Sequence, residues 1–291
     1  MKLHLIPLPL IALSLLVLNY LSASNARQHE ISEVATANHP LPQTVKPTLP
    51  AKPFRDVDFL DKLYGWGVTD HSLWKTTDGG QNWTEVKTSP NIKTLEHYEP
   101  QEVMEKVQFI NQENGWVVEG DYLIHTTDGG GSWGKQEIKN VIIRSFRFID
   151  SNNGWAVGQL LRLANKKQEF ESWHPVIYAT TDGGRTWRNL YTGPEDHYPF
   201  WDVWPVSSSD IWAVGFAVLT SRDGGKNWKK IHIEDRGGAV GMPIKVRFIN
   251  SQTGWMITNE GSDGYLFTDD GGKTWKPRRG TPENDGLVLR K

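Results

Sequence analysis

Five aspartates, Asp78, Asp128, Asp182, Asp223 and Asp270, each precede a Gly-Gly pair and are followed five positions on by a tryptophan: Trp83, Trp133, Trp187, Trp228 and Trp275. Carboxylates beside glycine turns could ligate a cation. A calcium loop, however, needs several spaced carboxylates and a closing glutamate, and neither these turns nor Asn259–Gly264 supply them. A second use of carboxylates is glycoside hydrolysis, which takes two of them about 5–10 Å apart. Glu119, Asp121, Asp202, Glu260 and Asp263, with Tyr98 or Tyr198, are the candidates. A third set is basic and aromatic: Lys106, Arg144, Arg147, Lys245 and Arg247, with Trp173, Trp201, Trp204, His97 and His197. Guanidinium groups suit carboxylate recognition, and aromatic rims grip sugars or peptides. No phosphate loop, zinc motif or GxSxG is present, and no cofactor or metal is expected.

The aspartates lie 50, 54, 41 and 47 residues apart. A repeat of about 40–50 residues with alternating apolar positions predicts propeller blades. Ahead of each box stands a second recurring element: VDFLDKLYGWGV (57–68), VQFINQENGWVV (107–118), FRFIDSNNGWAV (146–157), VWPVSSSDIWAV (203–214) and VRFINSQTGWMI (246–257). VxF alternates with period two and reads as a strand. The Asp, Asn and Gly that follow make a turn, and GWxV is a second strand. The apolar run before the box is a third, and the segment after its tryptophan a fourth. The expected fold is all-β: a propeller of five four-stranded antiparallel blades.

In the box, Ser/Thr and Asp side chains can bond turn amides, and the glycines supply positive φ. The five box aspartates and tryptophans are therefore expected to be structural. Ten of the 14 tryptophans occupy box or GW positions, so most of the unusual tryptophan content is architecture.

The remaining composition excludes several classes. Without cysteine there is no disulfide, thiolate site or cysteine nucleophile. A net charge of −2 with no basic bias gives no reason to expect nucleic acid as partner. Residues 1–26 read as a signal peptide, with Lys2, an apolar run from Leu3 to Leu21 and small residues at Ser24-Asn25-Ala26. The rival is an uncleaved anchor, but Pro7, Pro9 and Asn19 interrupt the run; after cleavage no stable membrane insertion is expected. Residues 27–53, with five prolines, read as an extended linker, and 54–291 as the propeller. Ring closure is left to two candidates, a strand from Leu287-Val288-Leu289 or one from the linker.

The [ST]xDGGx[TNS]W element resembles the BNR or Asp-box repeat of sialidases, sortilin-type receptors and some glycoside hydrolases. The fuller unit, with GWxV ahead of the box, more closely resembles the photosystem II stability and assembly factor family and its bacterial relatives, over residues 57–275. That resemblance implies an exported, cofactor-free, non-enzymatic assembly scaffold, in a thylakoid lumen if the source is photosynthetic and otherwise periplasmic or extracellular. Its partner would be a protein or peptide. It also implies an arginine patch, for which Arg144, Arg147 and Arg247 with Lys106 and Lys245 are the nearest match. The family is described as seven-bladed, whereas five repeats are found here. The sialidase Phe-Arg-Ile-Pro motif is missing, which disfavours the alternative, a secreted glycosidase or glycan-binding propeller.

Asp-box turns lie on the face opposite the ligand site in such propellers. Function is thus expected in the loops joining strands 2 and 3 and in those between blades. Blade 3 carries an insertion there, roughly residues 159–175, and two inter-blade loops, 95–102 and 194–202, place His-Tyr among carboxylates. Reversal of Arg147 and Arg247 to Glu is expected to abolish partner capture and spare the fold.

Overall fold

The computed structural model describes residues 48–88, 104–163, 170–233, 241–259 and 264–282, within a compact unit running from Thr48 to Lys291. Among the described residues, twenty strands form five separate four-stranded antiparallel sheets. Each sheet is a meander of consecutive strands and makes one blade. Blade 1 is β1 (Asp56–Phe59), β2 (Gly65–Val68), β3 (Ser72–Thr76) and β4 (Thr84–Thr88). Blade 2 is β5 (Met104–Phe109), β6 (Gly115–Glu119), β7 (Tyr122–Thr126) and β8 (Gly134–Gln136). Blade 3 is β9 (Val141–Phe148), β10 (Gly154–Leu163), β11 (Phe170–Thr180) and β12 (Arg188–Thr192). Blade 4 is β13 (Phe200–Pro205), β14 (Ile211–Gly215), β15 (Val218–Ser221) and β16 (Lys229–Ile231). Blade 5 is β17 (Pro243–Phe248), β18 (Gly254–Thr258), β19 (Gly264–Thr268) and β20 (Lys276–Arg279). No helix long and apolar enough to cross a membrane occurs among the described residues.

The apolar cores lie between blades. The GW tryptophan of one blade meets the phenylalanine of the next blade's VxF strand. Trp66 stacks on Phe109 and Trp116 on Phe148, each with ring centroids 3.8 Å apart, and Trp212 stacks on Phe248 at 5.2 Å. The third interface departs from this rule because blade 4 has Pro205 in place of the phenylalanine. There Trp155 joins a cluster in which Phe200, with Tyr191 and Phe216 against its edges, supplies the aromatic surface. Offset and edge-on aromatic pairs add to the burial of apolar area, so the tryptophans fix the rotation of each blade against its neighbour.

The boxes hold the outer turns. In blade 3, Thr180 Oγ1 donates to Asp182 Oδ1 at 2.8 Å and accepts from the Gly184 amide at 2.9 Å. Asp182 then accepts from both the amide and the hydroxyl of Thr186. The same net recurs from Thr76, Thr126, Ser221 and Thr268. Both glycines of every box have positive φ, 71° to 102°, a region that side chains with a Cβ resist. The first of them donates its amide to the turn between strands 1 and 2 of its own blade: Gly79 to Leu63 O, Gly129 to Glu113 O, Gly183 to Asn152 O, Gly224 to Ser209 O and Gly271 to Gln252 O. Boxes and 1–2 turns therefore share one face. The described 2–3 turns and inter-blade connections are at the other.

The side-chain bonds from Ser132, Thr186 and Asn227, followed by those from the backbone amides, hold Asp128, Asp182 and Asp223 down at about 2 from the usual 3.8. A carboxylate with a depressed native pKa stabilises the fold above its unfolded pKa, and that contribution is lost as pH falls through the native value. The thermal midpoint is therefore expected to be level from pH 7 to 5 and to fall between pH 4 and 2. A triple Asp→Asn variant at these positions, followed by circular dichroism, should show a shallower fall.

Every described sheet is complete from contiguous sequence. Among the described residues no sheet takes a strand from the linker, of which 48–53 are described; there the Trp83 amide donates to Thr48 O and Asn82 Oδ1 accepts from the Thr48 amide. Leu287–Leu289 lie outside the described residues.

Candidate binding face around the channel

Four of the five innermost strands carry a β-bulge at the same level. The register skips Glu105 in β5, Arg144 in β9, Trp201 in β13 and Ile244 in β17. A bulge leaves one residue unpaired and re-aims its side chain. In β9 it requires Gly158 opposite, because a Cβ there would stand 1.9 Å from Ile142 O. All four bulges lie towards the face away from the boxes, one step before the VxF positions. The sequence reading missed them. The apolar spacing does slip from two to three at each site, from Met104 to Val107, Ile143 to Phe146, Phe200 to Val203 and Pro243 to Val246, and the partner strand shows which residue is skipped.

The bulges bring two of the expected site residues together. Arg144 stands over the Trp201 ring with its guanidinium carbon 5.4 Å from the centroid and donates to Gln159 Oε1 at 3.4 Å. Below them, the basic residues are interleaved with carboxylates. Lys106 Nζ is 3.8 Å from Asp56 Oδ1, and Arg147 Nη1 is 3.8 Å from Asp58 Oδ1. Arg247 Nη1 pairs with Asp202 Oδ2. Arg147 and Arg247 also flank Trp204, 4.7 and 4.8 Å from its ring. The arginine patch expected from the sequence is thus a charge-paired layer at this depth, not an open basic surface.

The same carboxylates tie blade to blade. Asp56 and Asp58 accept from the Val107 and Phe109 amides, and Asp202 accepts from Ser145 Oγ and the Val246 amide. Gln108 plays the equivalent part between blades 2 and 3, bonding both the amide and the carbonyl of Phe148. Burial opposes ionisation of Asp202, but Arg247, Lys106 and these hydrogen bonds outweigh it and hold its pKa below normal. A carboxylate so held cannot serve as a general acid near neutral pH. Of the other hydrolytic candidates, Glu119 pairs with Lys87 at 3.5 Å, Asp121 is buried and Tyr198 is exposed on its loop. Glu260, Asp263 and Tyr98 lie outside the described residues, as does His97.

The blade 3 insertion corrects another expectation. Its described residues are not a loop but an extension of the β10–β11 hairpin, paired from Gly154↔Thr180 out to Leu163↔Phe170. Its base is tied to the connection between blades 3 and 4. The Asp196 amide donates to Trp173 O at 2.9 Å, with Asp196 at φ 54°, and His174 Nδ1 is 3.0 Å from Gly193 O. His197 stands exposed beside this junction, 5.7 Å from the Phe216 ring. Trp173, His197, Trp201 and Arg144 therefore belong to one stretch of the face, formed by blades 3 and 4. Sequence reasoning also missed a groove of about 510 Å³ on the box side between blades 4 and 5, lined by Trp212, Arg222, Trp228 and Lys273 among others.

Residues 138–281 match the family model described as photosynthesis system II assembly factor YCF48. This is a BNR-type β-propeller related to the photosystem II assembly factor. A second model, for sortilin (neurotensin receptor 3), matches residues 71–203 of the same repeats. No curated protein matches the chain. Among solved structures, YCF48 bound to D1 peptide is 20% identical with a TM-score of 0.39, over 80% of this chain and 87% of that one. An ancestral GH74 enzyme is 18% identical with a TM-score of 0.56, over 84% of this chain. A puromycin-hydrolyzing peptidase of Mycobacterium tuberculosis is 14% identical with a TM-score of 0.52, over 80% of this chain. The chain spans 33% of the GH74 enzyme and 42% of the peptidase, and its likeness to them is one of propeller fold.

Proposed function

We propose that this YCF48-related propeller is an exported, non-catalytic scaffold that holds a protein or peptide segment on the face opposite its Asp boxes. The observation that carries the reading is the Arg144–Trp201 pair at two aligned bulges, beside the hairpin of blade 3. The box face is nearly the same in all five blades, whereas this face differs from blade to blade. A guanidinium over an indole offers a flat apolar surface with a charge above it, which suits an extended segment carrying a carboxylate. The match to the assembly factor model over residues 138–281 covers both residues. Export rests on the N-terminal leader composition. The compartment is periplasmic or extracellular, or a thylakoid lumen in a photosynthetic source. The glycosidase alternative has only the shared fold in its favour, and the described channel carboxylates are committed to cations and backbone amides.

The test is crosslinking in the protein's own cell from a photoreactive residue at position 201. A discrete protein adduct is expected. No adduct, together with release of sugar from a polysaccharide by the purified protein, would replace the scaffold with the enzyme.

A further inference from the structure

The junction of blades 4 and 5 is packed differently from the three before it. At each of those, the residue three beyond a box tryptophan lies against the second glycine of the next blade's box. A Cβ on that glycine would stand 2.9 Å from Val86 at Gly130, 2.1 Å from Gln136 at Gly184 and 2.4 Å from Leu190 at Gly225. Ile231 is the equivalent residue of blade 4. At Gly272, however, the nearest atoms belong to Trp212, 2.2 Å from such a Cβ. Trp212 meets Phe248 at 5.2 Å with its plane tilted by 28°, whereas Trp66 and Trp116 stack on their phenylalanines at 3.8 Å with tilts of 6° and 8°. Arg222 takes a box position that is threonine in blades 1 to 3. Its guanidinium carbon is 5.4 Å from the Trp212 ring centroid, and its Nη2 donates to Gly271 O of the next blade at 2.6 Å. Ile231 is left half-buried in the wall of the groove of about 510 Å³ that opens between the two blades.

The groove has an apolar wall and a cationic rim. Trp228 and Ile231, both half-buried, supply the wall. Lys229 on β16 and Lys273 in the blade 5 box line the groove from its two sides. Both lysines are exposed, and neither ammonium has an ion-pair or hydrogen-bond partner among the described residues. The other charges are committed: Arg222 pairs with Asp210, and Asp223 is bonded by Ser221 and Asn227. Thr220 also lines the groove; it is 5% exposed, and its Oγ1 lacks the hydrogen bond that a buried hydroxyl normally makes. The amides of the bordering turns are spent internally. Gly225 donates to Ser221 Oγ, Asn227 to Asp223, Gly272 to Thr268 Oγ1 and Thr274 to Asp270. An extended peptide would find none of these amides free.

We propose that this groove is a binding site for a small planar aromatic carboxylate. Its volume falls within the roughly 300–1,000 Å³ of small-molecule sites, which pair an apolar lining with a few polar groups. The ring would lie against Trp228 and Ile231, where an aromatic pair adds to the apolar area buried. The carboxylate would supply the counter-charge that Lys229 and Lys273 lack, through charge-assisted hydrogen bonds. The Thr220 hydroxyl is available to a polar ring substituent. The site is independent of the Arg144–Trp201 surface: it lies on the box face, and its occupant is a free small molecule and not a segment of a partner.

The test is a ligand-detected NMR titration of the purified protein with 2-naphthoate at pH 7, with 2-naphthamide as its uncharged counterpart and cyclohexanecarboxylate as a non-aromatic one. One saturable site is expected for 2-naphthoate, with a dissociation constant of about 1 mM or lower. The amide and the alicyclic acid should each bind several-fold more weakly. Lys229→Gln/Lys273→Gln should lower the 2-naphthoate affinity about tenfold and leave the circular dichroism unchanged, because both side chains are exposed. Lys226→Gln, which removes an exposed charge beside the groove without lining it, should bind as the unaltered protein does. No saturable binding, equal affinity for acid and amide, or full affinity in the double variant would overturn the proposal. If the double variant does not fold, the two single variants carry the same comparison, each with a loss of several-fold. Because the protein is tested alone, failure here leaves the scaffold reading untouched, and a missing partner would not affect this result.

Discussion

Replacing Trp116 by alanine is expected to cost about 3–5 kcal/mol of stability and to lower the thermal midpoint by on the order of ten degrees. Trp116 is fully buried at the junction of blades 2 and 3. One face of its indole stacks on Phe148 at 3.8 Å and the other on His125 at 4.5 Å. Its Nε1 donates to Gly183 O in the box of blade 3 at 3.2 Å. Truncation would leave a cavity between two rigid sheets that can move together only by rotating a blade, and would leave the Gly183 carbonyl with Gln136 Nε2 as its remaining side-chain donor. Trp187→Ala, at the half-buried box position that meets Phe148 edge-on at 6.1 Å, should cost clearly less. Chemical denaturation of the two variants measures the difference. Equal losses would mean that the tryptophans act within blades and not between them.

Arg247→Glu is expected to be as damaging, and for an electrostatic reason. Asp202 has a side-chain exposure of 5% and is held by Arg247, Ser145 and the Val246 amide. Removing one partner of a buried pair costs about 3–5 kcal/mol, because the other charge stays buried without compensation. A glutamate there adds like-charge repulsion. Arg147→Glu would do the same to Asp58, 3.8 Å away. The double reversal that the sequence suggested as a fold-neutral test of partner binding should therefore fail to yield a folded protein, as judged by circular dichroism and limited proteolysis. Arg144→Glu, at a bulge on the open face, should leave both signals intact. A well-folded Arg147→Glu/Arg247→Glu protein would contradict the paired layer.

The contrast between these arginines shows what the sequence could carry. The box is a local device: Thr180, Asp182, Gly184 and Thr186 bond one another within a few residues, so its residue types and spacing suffice to identify it. The five repeats then give the blades, and the meander order follows. The paired layer is not local. Asp58 meets Phe109 and Arg147, and Asp202 meets Ser145 and Arg247, each in another blade. The VxF pattern identifies Asp58, Arg147 and Arg247 as the residues between an apolar pair, but not what they face. The insertion of blade 3 was legible as extra length, while its strand pairing depends on the register of β10 and β11. The bulges at Glu105, Arg144, Trp201 and Ile244 leave a local trace, a slip of the apolar spacing from two to three, but which residue is skipped is defined only by the partner strand.

The central claim is that the boxes build the blades and the opposite face binds. The most direct measurement is photocrosslinking in the cell from two sets of positions: Trp201 and Tyr198 on one face, Gln81 and Lys273 in the box turns on the other. The account predicts the same discrete protein adduct from positions 201 and 198, lost on Arg144→Glu, and none from 81 or 273. An adduct confined to the box positions, or one from position 201 that persists unchanged in Arg144→Glu, would contradict it.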